Sequence, residues 1–215
     1  MSVFIAAVKP VYCSSLPAAL PGGSGGHPES GFLWHFVIVL RKMTSDDVGA
    51  AQQLAVAAGW NQLAADWRRI LALEPECCFC VEEGGRAVAT ATAVCYGQRL
   101  AWVGMVLTHP EARRRGYARQ AMRAVLAELD RRGVEASRLD TTEMGQPLYE
   151  ELGYRVECAV ERWEGVNDLE PQPLDRGAPN LALDQEATGT DRGRLLELLA
   201  EEGCLRGLGG FAMRR

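Results

Sequence analysis

The residues best suited to chemistry sit together in Val106-Leu107-Thr108-His109-Pro110-Glu111-Ala112-Arg113-Arg114-Arg115-Gly116-Tyr117-Ala118-Arg119. An apolar run ends, a basic turn follows, and a helical pattern begins at Ala118. Gly116 carries no Cβ to hold a ligand off the backbone. A turn of this kind aims several N–H groups into one concavity, and a helix N-terminus adds partial positive charge. Arg113, Arg114 and Arg115 add full charges, one or two of which could reach phosphate oxygens. Such a site suits a pyrophosphate. Three arginines and a glycine also describe a solvated basic turn, and the segment alone does not separate the two readings. His109 reads as a loop residue.

These residues need a strand before them and a helix after them. Alanine, glycine and β-branched residues over 101–107 supply the strand, closed by Pro110. Ala121, Met122, Val125, Leu126 and Leu129 follow at helical spacing, and Gly133 ends the helix. Upstream, a strand over 37–41 leads to a helix over 44–58, with Thr44-Ser45-Asp46-Asp47 as cap and Gly59 as stop. A second helix spans 63–73. Two apolar runs, 78–81 and 87–94, flank Glu82-Glu83-Gly84-Gly85 as a β-hairpin. Downstream come a strand over 138–141, a helix over 147–152 that opens on Pro147, and a strand over 154–160. Strands and helices mixed in this order predict an α/β (α+β) layered domain.

Two motifs in this frame match a known family. Arg113-x-x-Gly116-x-Ala118, between a strand and a long amphipathic helix, resembles the acetyl-CoA signature of the Gcn5-related N-acetyltransferases (GNAT). Gln146-Pro147-Leu148-Tyr149-Glu150-Glu151-Leu152-Gly153-Tyr154 resembles that family's later helix and its Leu-Gly-Phe or Leu-Gly-Tyr exit. The resemblance covers about 37–163 and implies a mixed, mostly antiparallel central sheet with helices on both faces. It implies acetyl-CoA as acyl donor and no metal. Val106, Leu107 and Thr108 would offer backbone groups to the pantetheine arm. The amides of Arg114, Arg115, Gly116, Tyr117, Ala118 and Arg119 would hold the pyrophosphate. Gly104 is consistent with a bulge in that strand.

Tyr149 stands where family members often carry the general acid for the departing thiolate. A phenol of pKa ~10 suits a thiolate of similar basicity. Leu148 and Leu152 would form the buried face of that helix, with Tyr149 rotated off it. Asp140 is the first candidate for the base that deprotonates the acceptor ammonium; a surface role, acceptor binding and a relayed water stay open beside it. Many relatives place a cofactor-binding Asn between these two residues. This chain has none there, so Thr142 or Gln146 would replace it. Acceptor recognition would fall to Trp60, Asn61, Asp66, Trp67 and Tyr96, with Trp67 better read as core.

Composition bounds the rest. A chain of 215 residues with 47% hydrophobic and 24% charged residues holds one full domain and some extra. A net charge of −5 gives no reason to expect nucleic acid or an anionic membrane as partner. No apolar run approaches the roughly 18 residues a membrane span needs. Seven cysteines, an odd number, imply no disulfide framework and fit a reducing cytoplasm. Cys77-Cys78-x-Cys80 lacks the spacing of chelating pairs and reads as small buried hydrophobes. The Pro/Gly/Ser-rich stretch over 14–31 marks 1–36 as a disordered leader or a mis-assigned start. The acetyltransferase domain then spans 37–165, a proline-marked linker 166–179, and part of a second domain 180–215, where Thr190 would cap a helix and 211–213 would form an edge strand.

Three functions compete. The first is an N-acetyltransferase acting on a primary amine of a small molecule or peptide, a homodimer being compatible with it. The second is a non-catalytic acyl-CoA sensor, and the third a structural domain with a fortuitous loop.

Overall fold

The computed structural model describes residues 2–10, 37–162, 175–207 and 210–213. In chain order the first body contains β1 (Ser2–Pro10), β2 (Ile38–Lys42), α1 (Val48–Ala57), α2 (Ala64–Leu73), β3 (Cys78–Glu83), β4 (Arg86–Tyr96), β5 (Leu100–Thr108), α3 (Tyr117–Arg131), β6 (Ala136–Thr141), α4 (Gln146–Glu151) and β7 (Arg155–Arg162). Its strands form one seven-stranded sheet in the order β2-β3-β4-β5-β6-β1-β7. All neighbours are antiparallel except β5 and β6. The mixed, mostly antiparallel sheet expected from the sequence is present.

Both faces of this sheet are covered, so its inner strands are apolar on both sides. Cys78 and Cys80 turn to one face, where they pack with Leu54 of α1 and the fully buried Trp67 of α2. Cys77 and Val81 turn to the other face, under Met122, Val125 and Leu129 of α3. The period of two along β3 thus puts Cys78 and Cys80 in one core, while Cys77, in the turn before the strand, enters the other. Gly84 and Gly85 have φ values of 61° and 82°, as the tight hairpin between β3 and β4 requires.

β1 corrects the expected leader. Ser2–Pro10 forms a strand inside the sheet, antiparallel to β6 on one side and β7 on the other. Its partners lie some 130 residues or more along the chain, a pairing that local composition cannot announce. The remainder of the expected leader, 11–36, and Pro171 and Pro173 of the expected linker lie outside the described residues.

A second, smaller body holds β8 (Asp175–Arg176), α5 (Leu181–Thr188), α6 (Gly193–Ala200), β9 (Cys204–Gly207) and β10 (Gly210–Met213), its strands ordered β8-β9-β10. The strand expected over 211–213 is present as β10. Thr190 does not cap α6: the N-cap residue is Arg192, and the Thr190 hydroxyl bonds Thr188 instead. The body docks on the end of α2, where Arg194 donates to the carbonyls of Ala72 and Leu73 at 2.9 and 3.1 Å. Those carbonyls have no partner within α2, so a guanidinium there acts as a cap. Among the described residues no helix is long and apolar enough to cross a membrane.

Candidate active site

β5 is where the sheet opens. Its odd residues Ala101 and Val103 pack under α3, yet Met105 and Leu107 pack under α1 and α2 on the opposite face. A bulge causes the switch: Thr90 pairs with Leu107 and Thr92 with Gly104, so two residues of β5 stand opposite Ala91 alone. Met105 takes a φ of 51°, which puts the bulge one residue beyond the Gly104 expected from the sequence. Neighbouring β6 pairs with β5 only at Ala101–Ser137 and Trp102–Arg138. Beyond that point the two parallel strands diverge.

The gap they leave is a cavity of about 590 Å³. One wall is Val106, Leu107 and Thr108 at the end of β5; the other is Asp140 and Thr141 at the end of β6. Tyr149 and Leu148 of α4 form part of the lining, and Ala58 and Trp60, after α1, also line it. The remaining side is the basic loop, through Arg113, Arg114, Gly116, Tyr117, Ala118 and Arg119.

The loop is held open by its anchors. Ala112 is buried below it, and Tyr117 reaches back so that its hydroxyl donates to Glu83 at 3.3 Å. Arg115 donates to the same carboxylate at 2.9 Å. Its side chain is therefore turned to the β3–β4 hairpin and does not line the cavity. Arg114 has a φ of 62° and Gly116 a φ of 82°, and the first closed turn of α3 is Gln120 N–H to the Gly116 carbonyl at 3.0 Å. The amides of Tyr117, Ala118 and Arg119 precede that bond and have no acceptor in the helix. The Arg119 side chain pairs with Glu151.

Tyr149 departs from the helical reading of α4. It is the buried residue there, while Leu148 and Leu152 are only half-buried. Its ring meets that of Tyr154 edge to face, centroids 5.9 Å apart. Burial, with Tyr154 adding to it, pushes the Tyr149 phenol well above its ordinary pKa and so away from the matched basicity expected from the sequence. The Tyr154 hydroxyl is committed elsewhere, sharing a 2.8 Å hydrogen bond with Ser137. Burial raises its pKa to about 12, the Ser137 bond opposing the shift. Asp140 is exposed at the cavity wall, while Leu139 beside it is buried in the core.

Gly145 lines the cavity without having been singled out in the sequence. A Cβ there would stand 2.5 Å from Thr141 Oγ1, so the turn into α4 can press against β6 only as glycine. Met144 also lines the cavity unanticipated. Of the expected acceptor residues Trp60 reaches the cavity. Of the two expected stand-ins for a cofactor-binding Asn, Thr142 lines the cavity, whereas the Gln146 side chain bonds Glu150. Trp67 is core, Asp66 caps α2 through the Leu63 amide at 2.7 Å, and Tyr96 lies at the far end of β4 beside Arg192. His109 is a loop residue whose Nδ1 accepts from the Glu111 amide at 3.4 Å.

The basic loop with Gly116 at the N-terminus of α3, anticipated by the sequence motif, closes a divergent strand pair. The model of the Acetyltransferase (GNAT) family matches residues 47–154, half of the chain. The chain belongs to this family.

Solved structures share the GNAT fold. A Pyrococcus horikoshii protein described as an acetyltransferase superposes with a TM-score of 0.68 at 21% identity, covering 88% of this chain and 71% of that one. A GNAT-family protein from Novosphingobium aromaticivorans gives a TM-score of 0.50 at 26% identity, over 74% of this chain and 61% of that one. A GCN5-related N-acetyltransferase from Sphaerobacter thermophilus gives 0.54 at 20% identity, over 73% of this chain and 49% of that one. No curated protein sequence matches the chain significantly.

Proposed function

We propose that the protein transfers an acetyl group from acetyl-CoA directly to a primary amine of a small molecule or peptide. The observation that carries the proposal is the cavity between the diverging ends of β5 and β6, closed by the loop that enters α3. Its two ends differ in charge as the two reactants would require. Arg113 and Arg114 line the loop side, suited to phosphate, and Asp140 lines the wall of β6, suited to an ammonium.

When bound, acetyl-CoA supplies the acetyl group as a thioester. The amides from Arg114 to Arg119 hold the pyrophosphate, and the backbone of Val106 to Thr108 lines the pantetheine arm. Asp140, directly or through water, takes the proton that an acceptor ammonium must lose before its nitrogen can attack. Tyr149 gives its proton to the sulfur that departs. Rate comes from holding two reactants side by side in the cleft and needs no covalent bond to the protein. The cysteines have no part in this step.

The test is calorimetric titration of the full chain with acetyl-CoA, followed by free-thiol release across a panel of amines. Micromolar binding, lost in Gly116→Glu, together with amine-dependent thiol release is the expected result. Binding without release for any amine would leave the sensor reading in its place. A folded protein that does not bind acetyl-CoA would defeat the proposal.

A further inference from the structure

A second reactive constellation lies at the other end of the sheet. The chain leaves α2 through Glu74 and a single 3₁₀ turn, Pro75–Cys77, before entering β3. That turn brings Cys77 beside Cys95, near the end of β4. The two sulfurs and a Glu74 carboxylate oxygen all lie within 4.8 Å of one another. Arg132, just past α3, donates to Glu74 at 2.6 Å and approaches the Cys95 sulfur at 3.9 Å.

The group could be read as a metal site, but its charges favour thiol chemistry. The Glu74 carboxylate already accepts from Arg132 and, at 3.4 Å, from the Cys95 amide. A cation placed there would face a fixed guanidinium. The same guanidinium stabilises a thiolate. The Cys95 thiol is held below its ordinary pKa, chiefly by neighbouring Cys77 and further by Arg132, with burial and Glu74 opposing, whereas that of Cys77 is raised. The two sulfurs are also unequal in access. Cys77 is fully buried, whereas Cys95 opens on a small cavity of about 40 Å³ between β4 and the second body, shared with Tyr96, Arg192 and Leu195. A space of this size suits an oxidant as small as hydrogen peroxide.

We infer that Cys95 and Cys77 form a peroxide-responsive thiol pair, Cys95 reacting first and Cys77 resolving it into a disulfide. The Cys95 thiolate attacks one peroxide oxygen, the O–O bond breaks, and hydroxide leaves and takes a proton to become water. Cys95 is then a sulfenic acid, oxidised by two electrons, and the peroxide is reduced by two. The Cys77 sulfur, giving up its proton, attacks the Cys95 sulfur; the S–O bond breaks and a second water leaves. The sulfurs must close from their present separation, within 4.8 Å, to about 2.05 Å. An external dithiol restores both thiols.

The test treats the full chain with hydrogen peroxide, blocks remaining thiols by alkylation, and maps peptides by mass spectrometry. The expected product is one cross-linked peptide pair joining Cys77 and Cys95 with two hydrogens lost, reversed by dithiothreitol. In Cys77→Ser the sulfenic acid persists at Cys95 and is trapped by dimedone. Arg132→Gln slows the reaction roughly threefold, a tenfold smaller thiolate fraction being partly offset by greater nucleophilicity. The wild-type map decides the question even if a variant folds poorly. Both cysteines staying reduced while exposed Cys158 oxidises would overturn the inference, and so would zinc retained stoichiometrically at this cluster.

Discussion

The stretch from β2 to β4 and the stretch from β8 to β10 run through the same sequence of elements: strand, two helices, strand, strand. Each folds its three strands into the same antiparallel neighbourhood, β2-β3-β4 in one and β8-β9-β10 in the other. Their contents differ. α1 and α2 have ten residues each and bury Trp67 completely, whereas α5 and α6 have eight each, and β8 has two. The larger stretch is also joined by β5, whose bulge and departure from β6 create the cleft. Among the described residues the smaller stretch has no such neighbour. A repeated scaffold therefore does not make a site; a strand that stops pairing does, because it leaves backbone groups and a cavity within the sheet.

That contrast can be attacked first at two left-handed glycines. Gly116 caps the start of α3 at the cleft, and Gly189 ends α5 in the smaller body with a φ of 67°. Gly116→Glu should weaken acetyl-CoA binding on the order of a hundredfold by calorimetry, a carboxylate then facing phosphate. Gly189→Glu should cost stability and leave binding within about twofold, since its conformation is needed only for the helix end. Similar losses in both would mean that the two bodies share the site.

Next come two tyrosines. Tyr149→Phe should lower kcat about a hundredfold with acetyl-CoA affinity unchanged. Tyr96→Phe, at the seam between the bodies, should leave kcat unchanged. A smaller effect concerns docking. Arg194→Ala uncovers the last carbonyls of α2 and should cost about 1–2 kcal/mol, seen as faster hydrogen exchange at that end, with binding at the cleft preserved. The smallest is acid sensitivity, which belongs to the larger body. Hydrogen bonds from Arg131 and then Arg132, against the opposing effect of burial, hold the Glu128 carboxyl down at about 2. Its contribution is full above the ordinary carboxylate range and fades as pH falls toward about 2. Glu128→Gln should flatten that part of the stability profile.

The basic loop, α3, the hairpin and the Leu152-Gly153-Tyr154 exit were legible because each is written in neighbouring residues: helical spacing, paired glycines, a proline at a helix start. The family followed from two such local motifs in the right order. Other features depended on partners far along the chain. β1 enters the sheet because β6 and β7 leave a place between them, and its own residues do not name those partners. The bulge sits at Met105 and not at Gly104 because register is a property of two strands, and a one-residue slip carries every later side chain to the other face. Tyr149 is buried because Tyr154 and the sheet enclose it, which helical periodicity alone does not encode. Cys77 and Cys95 were two cysteines among seven until the turn after α2 met the end of β4. Local composition sets which element each stretch forms, and long-range pairing sets which side chains come within reach of one another.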